Sequence, residues 1–109
     1  MNIQIAVVIV ALDFIAEDDY LDVMNAVSSL SKKWAELCVA LGLSLKKVSS
    51  IRAANGGNSR ESLHEGISQW LQGKYDPSWR KLVIAVDRIQ QHDLAVRIFA
   101  KHRIKGKLK

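Results

Sequence analysis

Cysteine and proline are nearly absent from this chain: one of each stands in 109 residues, with six glycines and only 6% aromatics. A lone cysteine forms no internal disulfide, so the fold needs no oxidising compartment. So little Pro and Gly excludes collagen-like and low-complexity chains. Basic residues are missing from positions 1–31, where five acids stand (Asp13, Glu17, Asp18, Asp19 and Asp22). Positions 32–109 hold six acids against sixteen bases, so a charge of −5 is followed by one of +10. A chain polarised in this way attracts an acidic partner, or a copy of itself head to tail. The length allows a single domain. An apolar fraction of 49% and a charged fraction of 25% are those of an ordinary globular protein.

Long apolar runs are also wanting, apart from residues 3–16, where twelve of fourteen positions are apolar and Gln4 and Asp13 interrupt. A membrane-spanning helix needs about 20 such residues. A secretory signal wants a basic start and a small-residue cleavage site, and Met1-Asn2 and Asp13-Phe14-Ile15 supply neither. The β-branched content suits a strand as well as a helix. Three readings stay open: an extra segment packed on the domain or a partner, the remnant of a membrane span, or a degenerate signal. The first is preferred.

After Ala16, helical punctuation is regular. Glu17, Asp18 and Asp19 place negative charge where a first helix begins. Leu21, Met24, Val27 and Leu30 are its expected inner face. Trp34, Leu37, Cys38 and Leu41 follow at i, i+3, i+4 and i+7, the stripe of a second helix, which Gly42 ends in a left-handed turn. Ser44 caps a short third helix with Leu45, Val48 and Ile51 inward and Lys46, Lys47 and Arg52 outward. Asn55-Gly56-Gly57-Asn58 is a turn, and Asn58 with Glu61 has the offset of a capping box. Leu63, Ile67, Trp70 and Leu71 define a fourth helix that Gly73 closes. Asp76-Pro77 reads as the cap and first position of a fifth helix bearing Trp79, Leu82, Val83 and Val86. Asp93 opens or caps a sixth with Leu94, Ala95 and Ile98 inward. Trp34, Trp70 and Trp79 are expected to meet in, or border, one core. The sum is an all-α, six-helix antiparallel bundle.

No reaction chemistry emerges. Cys38 shares the stripe of Trp34 and reads as a small buried hydrophobe rather than a nucleophile. His64, His92 and His102 lack ligand spacing, so no metal is expected. Gly56-Gly57 lacks the Lys and Ser or Thr of a phosphate loop. Ser, His and Asp show no triad ordering. The chain is therefore read as no enzyme, with no cofactor.

The same residues carry a resemblance. Trp34-Ala35-Glu36-Leu37-Cys38 leading into Leu41-Gly42-Leu43-Ser44, with Val48 and Ile51, resembles the front half of a death domain. Ser62-Leu63, Ile67 and Trp70-Leu71 are similar to the family's fourth helix. Pro77-Ser78-Trp79-Arg80-Lys81-Leu82 with Ala85-Val86, then Asp93-Leu94-Ala95 and Ile98, resemble its fifth and sixth. The match spans about residues 19–103; each motif is common alone, and the ordered set is specific. The apolar residues before 17 depart from the family pattern. The resulting division is an apolar leader at 1–17, a death-domain-like bundle at 18–104 and a basic tail at 105–109.

The resemblance implies a cytoplasmic signalling adaptor that binds other death-domain proteins, or itself, in apoptotic or innate-immune assembly. It places partner contacts on charged patches of helices 1 and 3, the helix 4–5 corner and the ends of helices 5 and 6. The candidates here are Lys46, Lys47 and Arg52, then Arg80 and Lys81, with Asp18, Asp19 and Asp22 as acidic counterparts; the bland alternative is a solvated face. Trp34, Leu37, Leu41, Ile51, Leu63, Ile67, Trp70, Leu71, Trp79, Leu82, Leu94 and Ile98 are the expected core. The rival reading is a small basic helical nucleic-acid-binding domain. For that role helix 3 is expected to be too short, leaving helix 5 with Arg80, Lys81 and Arg88 as the reader. Membrane contact through residues 3–16 is a further, less favoured option.

Overall fold

A computed structural model describes residues 14–72 and 74–102. Among these, six α-helices follow one another: α1 (Tyr20–Val27), α2 (Trp34–Ala40), α3 (Leu45–Ala54), α4 (Ser59–Leu71), α5 (Trp79–Arg88) and α6 (His92–His102). Tight 3-10 turns at Glu17–Asp19 and Ser28–Lys33 flank α1. Ser28, Ser29 and Ser31, residues of modest helix preference, fall in the second of these turns, where Leu30 departs from helical dihedrals at φ −98° and ψ 17°. The all-α bundle expected from periodicity is the observed class.

The caps explain where several helices start. Ser44 Oγ accepts from Lys47 N–H at 3.1 Å, and Asn58 Oδ1 accepts from Glu61 N–H at 2.9 Å. Gly42, at φ +110°, turns the chain after α2 in a conformation that a Cβ would strain. Two expected starts differ. The fifth helix is capped by Ser78, whose Oγ accepts from Lys81 N–H at 3.0 Å, and it begins at Trp79 rather than Pro77. Asp76 instead takes φ +50° in the preceding turn, and Pro77 is buried there. Likewise α6 begins at His92, so Asp93 lies inside its first turn.

One helix organises the core. α4 packs against α1, α2, α3 and the Ser28–Lys33 turn, and it buries Leu63, Gly66, Ile67, Trp70 and Leu71. A Cβ on Gly66 would overlap Cys38 Sγ, so the absence of a side chain lets α2 and α4 approach. α5 packs on α2 and α6. The last two helices run antiparallel: Trp79 at the start of α5 stacks on His102 at the end of α6, with ring centroids 3.6 Å apart and planes 11° apart. At their other ends, His92 Nδ1 and Asp87 Oδ1 are 2.9 Å apart.

Trp34, Leu37, Leu41, Ile51, Leu63, Ile67, Trp70, Leu71, Leu82 and Ile98 are buried. Trp79 and Leu94 are partly buried and border that cluster. Leu21 and Leu45, expected inward, are instead 71% and 73% exposed. Both stand in the first turns of their helices, whereas Met24 and Val27 on α1 and Val48 and Ile51 on α3 keep the expected faces, joined by Val23 and, ahead of α3, Leu43.

The end of the apolar leader also contributes. Ile15 is fully buried and its N–H donates to Pro77 O at 3.0 Å, while Phe14 forms an isolated antiparallel bridge with Ser78. The readings offered for residues 1–13, Gly73 and the tail at 105–109 lie outside the described residues.

Candidate functional site

The charged candidates occupy three separate elements. On α3, Lys46 is exposed and Lys47 half-buried, while the Arg52 guanidinium lies 5.3 Å from the centroid of the Trp34 ring. That distance is within cation–π range, so Arg52 is held down on α2 rather than swinging free. Asn55, just beyond α3, donates from Nδ2 to Ile51 O at 2.7 Å and to Glu65 Oε1 at 2.9 Å. Glu65 Oε2 also accepts from Gln69 Nε2 at 3.0 Å. This network, invisible in the linear pattern, ties the basic helix to α4.

At the start of α5, Lys81 Nζ donates to Tyr75 O at 2.9 Å, bracing the turn between α4 and α5. Arg80 is half-buried beside it. α3 packs on α2 and α4, whereas α5 packs on α2 and α6. The two basic groups are thus carried on different helices.

The acidic group precedes and enters α1. Asp18 is exposed, and Asp19 is half-buried, its Oδ2 accepting from Ala16 N–H at 3.0 Å. Asp19 therefore caps its own turn, which leaves Asp18 and the exposed Asp22 facing outward. Asp22 also acts on His102. Burial lowers the pKa of His102, Lys101 lowers it further, and Asp22 opposes both. On the opposite side of the same chemistry, the hydrogen bond to Asp87 and its charge raise His92. The third histidine, His64, is hydrogen-bonded to the Tyr20 hydroxyl across α1 and α4. Each imidazole thus has its own partner on another element or turn.

Cys38 is fully enclosed, and burial pushes its thiol up to about 12. Burial of this kind disfavours the thiolate and makes the side chain a packing element between α2 and α4. α3, at ten residues, is as long as α5. Length therefore does not separate them as nucleic-acid readers, contrary to expectation. Among the described residues no helix is long and apolar enough to cross a membrane.

An all-α bundle of six short helices, with its charges on outer faces of α1, α3 and α5, defines a death-fold class of protein. The Death domain family model matches residues 18–102. The chain belongs to the death-domain family, whose members are non-enzymatic protein–protein interaction modules of signalling. No curated protein and no solved structure matches it.

Proposed function

We propose that this domain works by homotypic assembly with other death domains, a second copy of itself included, as a cytoplasmic adaptor in apoptotic or innate-immune signalling. Family membership supports the class of partner. The observation that carries the reading is the separation of sign by element: exposed Lys46 on α3 against exposed Asp18 and Asp22 around α1. Surfaces of opposite sign on one molecule permit a head-to-tail contact in which each copy uses both. Such charges act mainly on encounter rate and partner choice.

Light scattering over a protein-concentration series tests this directly. Association is expected at low salt. It is expected to weaken in the Lys46→Glu, Lys47→Glu double variant. Mixing that variant with an Asp18→Lys, Asp22→Lys variant restores the contact between the reversed faces. A chain that stays monomeric under all conditions and captures no death-domain partner overturns the reading.

A further inference from the structure

Between α1, the Ser28–Lys33 turn and α4 lies a concavity of about 510 Å³ whose polar walls are Asn25, Ser28, Ser31, Arg60 and His64. Its other walls, Leu21, Met24 and Leu63, are apolar, so among the described residues no carboxylate lines it. Arg60 is exposed, and its guanidinium makes no hydrogen bond or ion pair among the described residues. The Ser31 hydroxyl likewise has no partner there. His64 adds a second donor. Burial, reinforced by the charge of Glu61, raises the pKa of Tyr20, so that hydroxyl keeps its proton. It donates to His64 Nδ1, which in the neutral imidazole leaves the hydrogen on Nε2. A guanidinium fork, an imidazole N–H, an amide and two hydroxyls, with no acid among them, suit an anion of several oxygens.

We propose that Ser31 is a phosphorylation site and that this concavity receives its phosphate, with Arg60 and His64 as the binding groups. The γ-phosphoryl group of a nucleoside triphosphate passes to Ser31 Oγ: the new O–P bond forms as the bond to the bridging oxygen breaks. The serine proton goes to the base of the transferring kinase, and nucleoside diphosphate leaves. The position follows from the turn. Ser28 and Ser31 stand three apart in a 3-10 segment, where such residues share a side, and Ser29 does not line the concavity. Ser28 is the C-cap of α1, where a dianion meets the negative end of the helix, whereas Ser31 lies a turn beyond it. The source follows from exposure. An exposed guanidinium holds a free anion weakly in water, but a phosphate esterified within the same concavity acts at high effective concentration. The phosphate ties the turn between α1 and α2 to α4. The site is independent of the homotypic reading above, since none of Lys46, Lys47, Asp18 and Asp22 lines it.

Two experiments on the full chain test it. The folded chain, incubated with magnesium ATP and a lysate of the cells that make it, is expected to gain phosphate at Ser31 by peptide mass spectrometry. Absence of phosphate at that position overturns the proposal. The chain with phosphoserine encoded at position 31 is then titrated by phosphorus NMR. The second pKa of the phosphate, about 6 in an unstructured peptide, is expected to fall by at least about 0.5 because Arg60 favours the dianion. Arg60→Gln, at an exposed residue, is expected to reverse most of that fall. Phosphoserine encoded at position 29, outside the concavity, is expected to titrate alike with and without Arg60→Gln. A phosphate at position 31 that also titrates alike with and without Arg60→Gln overturns the proposal. Loss of the near-ultraviolet tryptophan signal on phosphorylation overturns it as well, because the concavity then does not accommodate the group.

Discussion

At Trp70 the indole is wholly enclosed and its Nε1–H makes no hydrogen bond, so its contribution is packing alone. Trp70→Ala is expected to lose about 3–5 kcal/mol in urea unfolding. Trp70→Phe should lose clearly less, since it keeps most of the apolar volume and forfeits no bond. The histidines supply a second test at this scale. His92 is raised by Asp87, so its contribution to stability is full below about pH 6.5 and is lost as pH rises through the raised folded value. His102 is lowered, chiefly by burial, so its contribution is full above about pH 6.5 and is lost as pH falls through the depressed folded value. Urea midpoints at about pH 5 and about pH 8 separate them. The His92→Gln variant should fall behind the parent mainly at the lower pH. His102→Phe, which keeps a ring on Trp79, should gain on the parent at the lower pH.

Between elements, the contact of α2 with α4 turns on Gly66 and Cys38. In an isolated helix Ala is better than Gly by about 1 kcal/mol. Here the added Cβ would meet Cys38 Sγ, so Gly66→Ala is expected to destabilise by about 1–3 kcal/mol. In a Cys38→Ala background the same change should become neutral or stabilising, a coupling that a double-mutant cycle reads directly. The start of α5 is tested separately. Ser78→Ala removes the cap and should lose about 1 kcal/mol. Asp76→Gly should be tolerated within about 0.5 kcal/mol, because Asp76 caps nothing and sits at φ +50°.

For the whole molecule, the six-helix arrangement buries both Trp34 and Trp70 with one continuous aliphatic cluster and leaves the charge outside it. Charges on such a surface act through solvent, where screening sets in over about 10 Å at 0.1 M salt. Homotypic association is therefore expected to weaken steadily as salt rises from low to physiological strength, measured by light scattering at fixed protein concentration. Stability over the same salt range should change little, since the core is apolar.

The number and order of the helices, the caps at Ser44 and Asn58 and the Trp34–Leu41 stripe were legible in the linear pattern, because each depends on neighbours within four residues. The interior of α4 was legible as well, through Leu63, Ile67 and Trp70. Leu21 and Leu45 were misread because each stands in the first turn of its helix, and spacing alone does not say whether that turn reaches the core. Pro77 was misread because Ser78, next in the chain, is the residue that caps α5, while Pro77 is buried and its carbonyl accepts from Ile15 N–H. The surface network of Asn55 with Glu65, the Arg52–Trp34 contact and the concavity between α1 and α4 belong to the tertiary structure alone. Local composition selects which segments become rods; only close packing of those rods determines which side chains meet and which faces remain open.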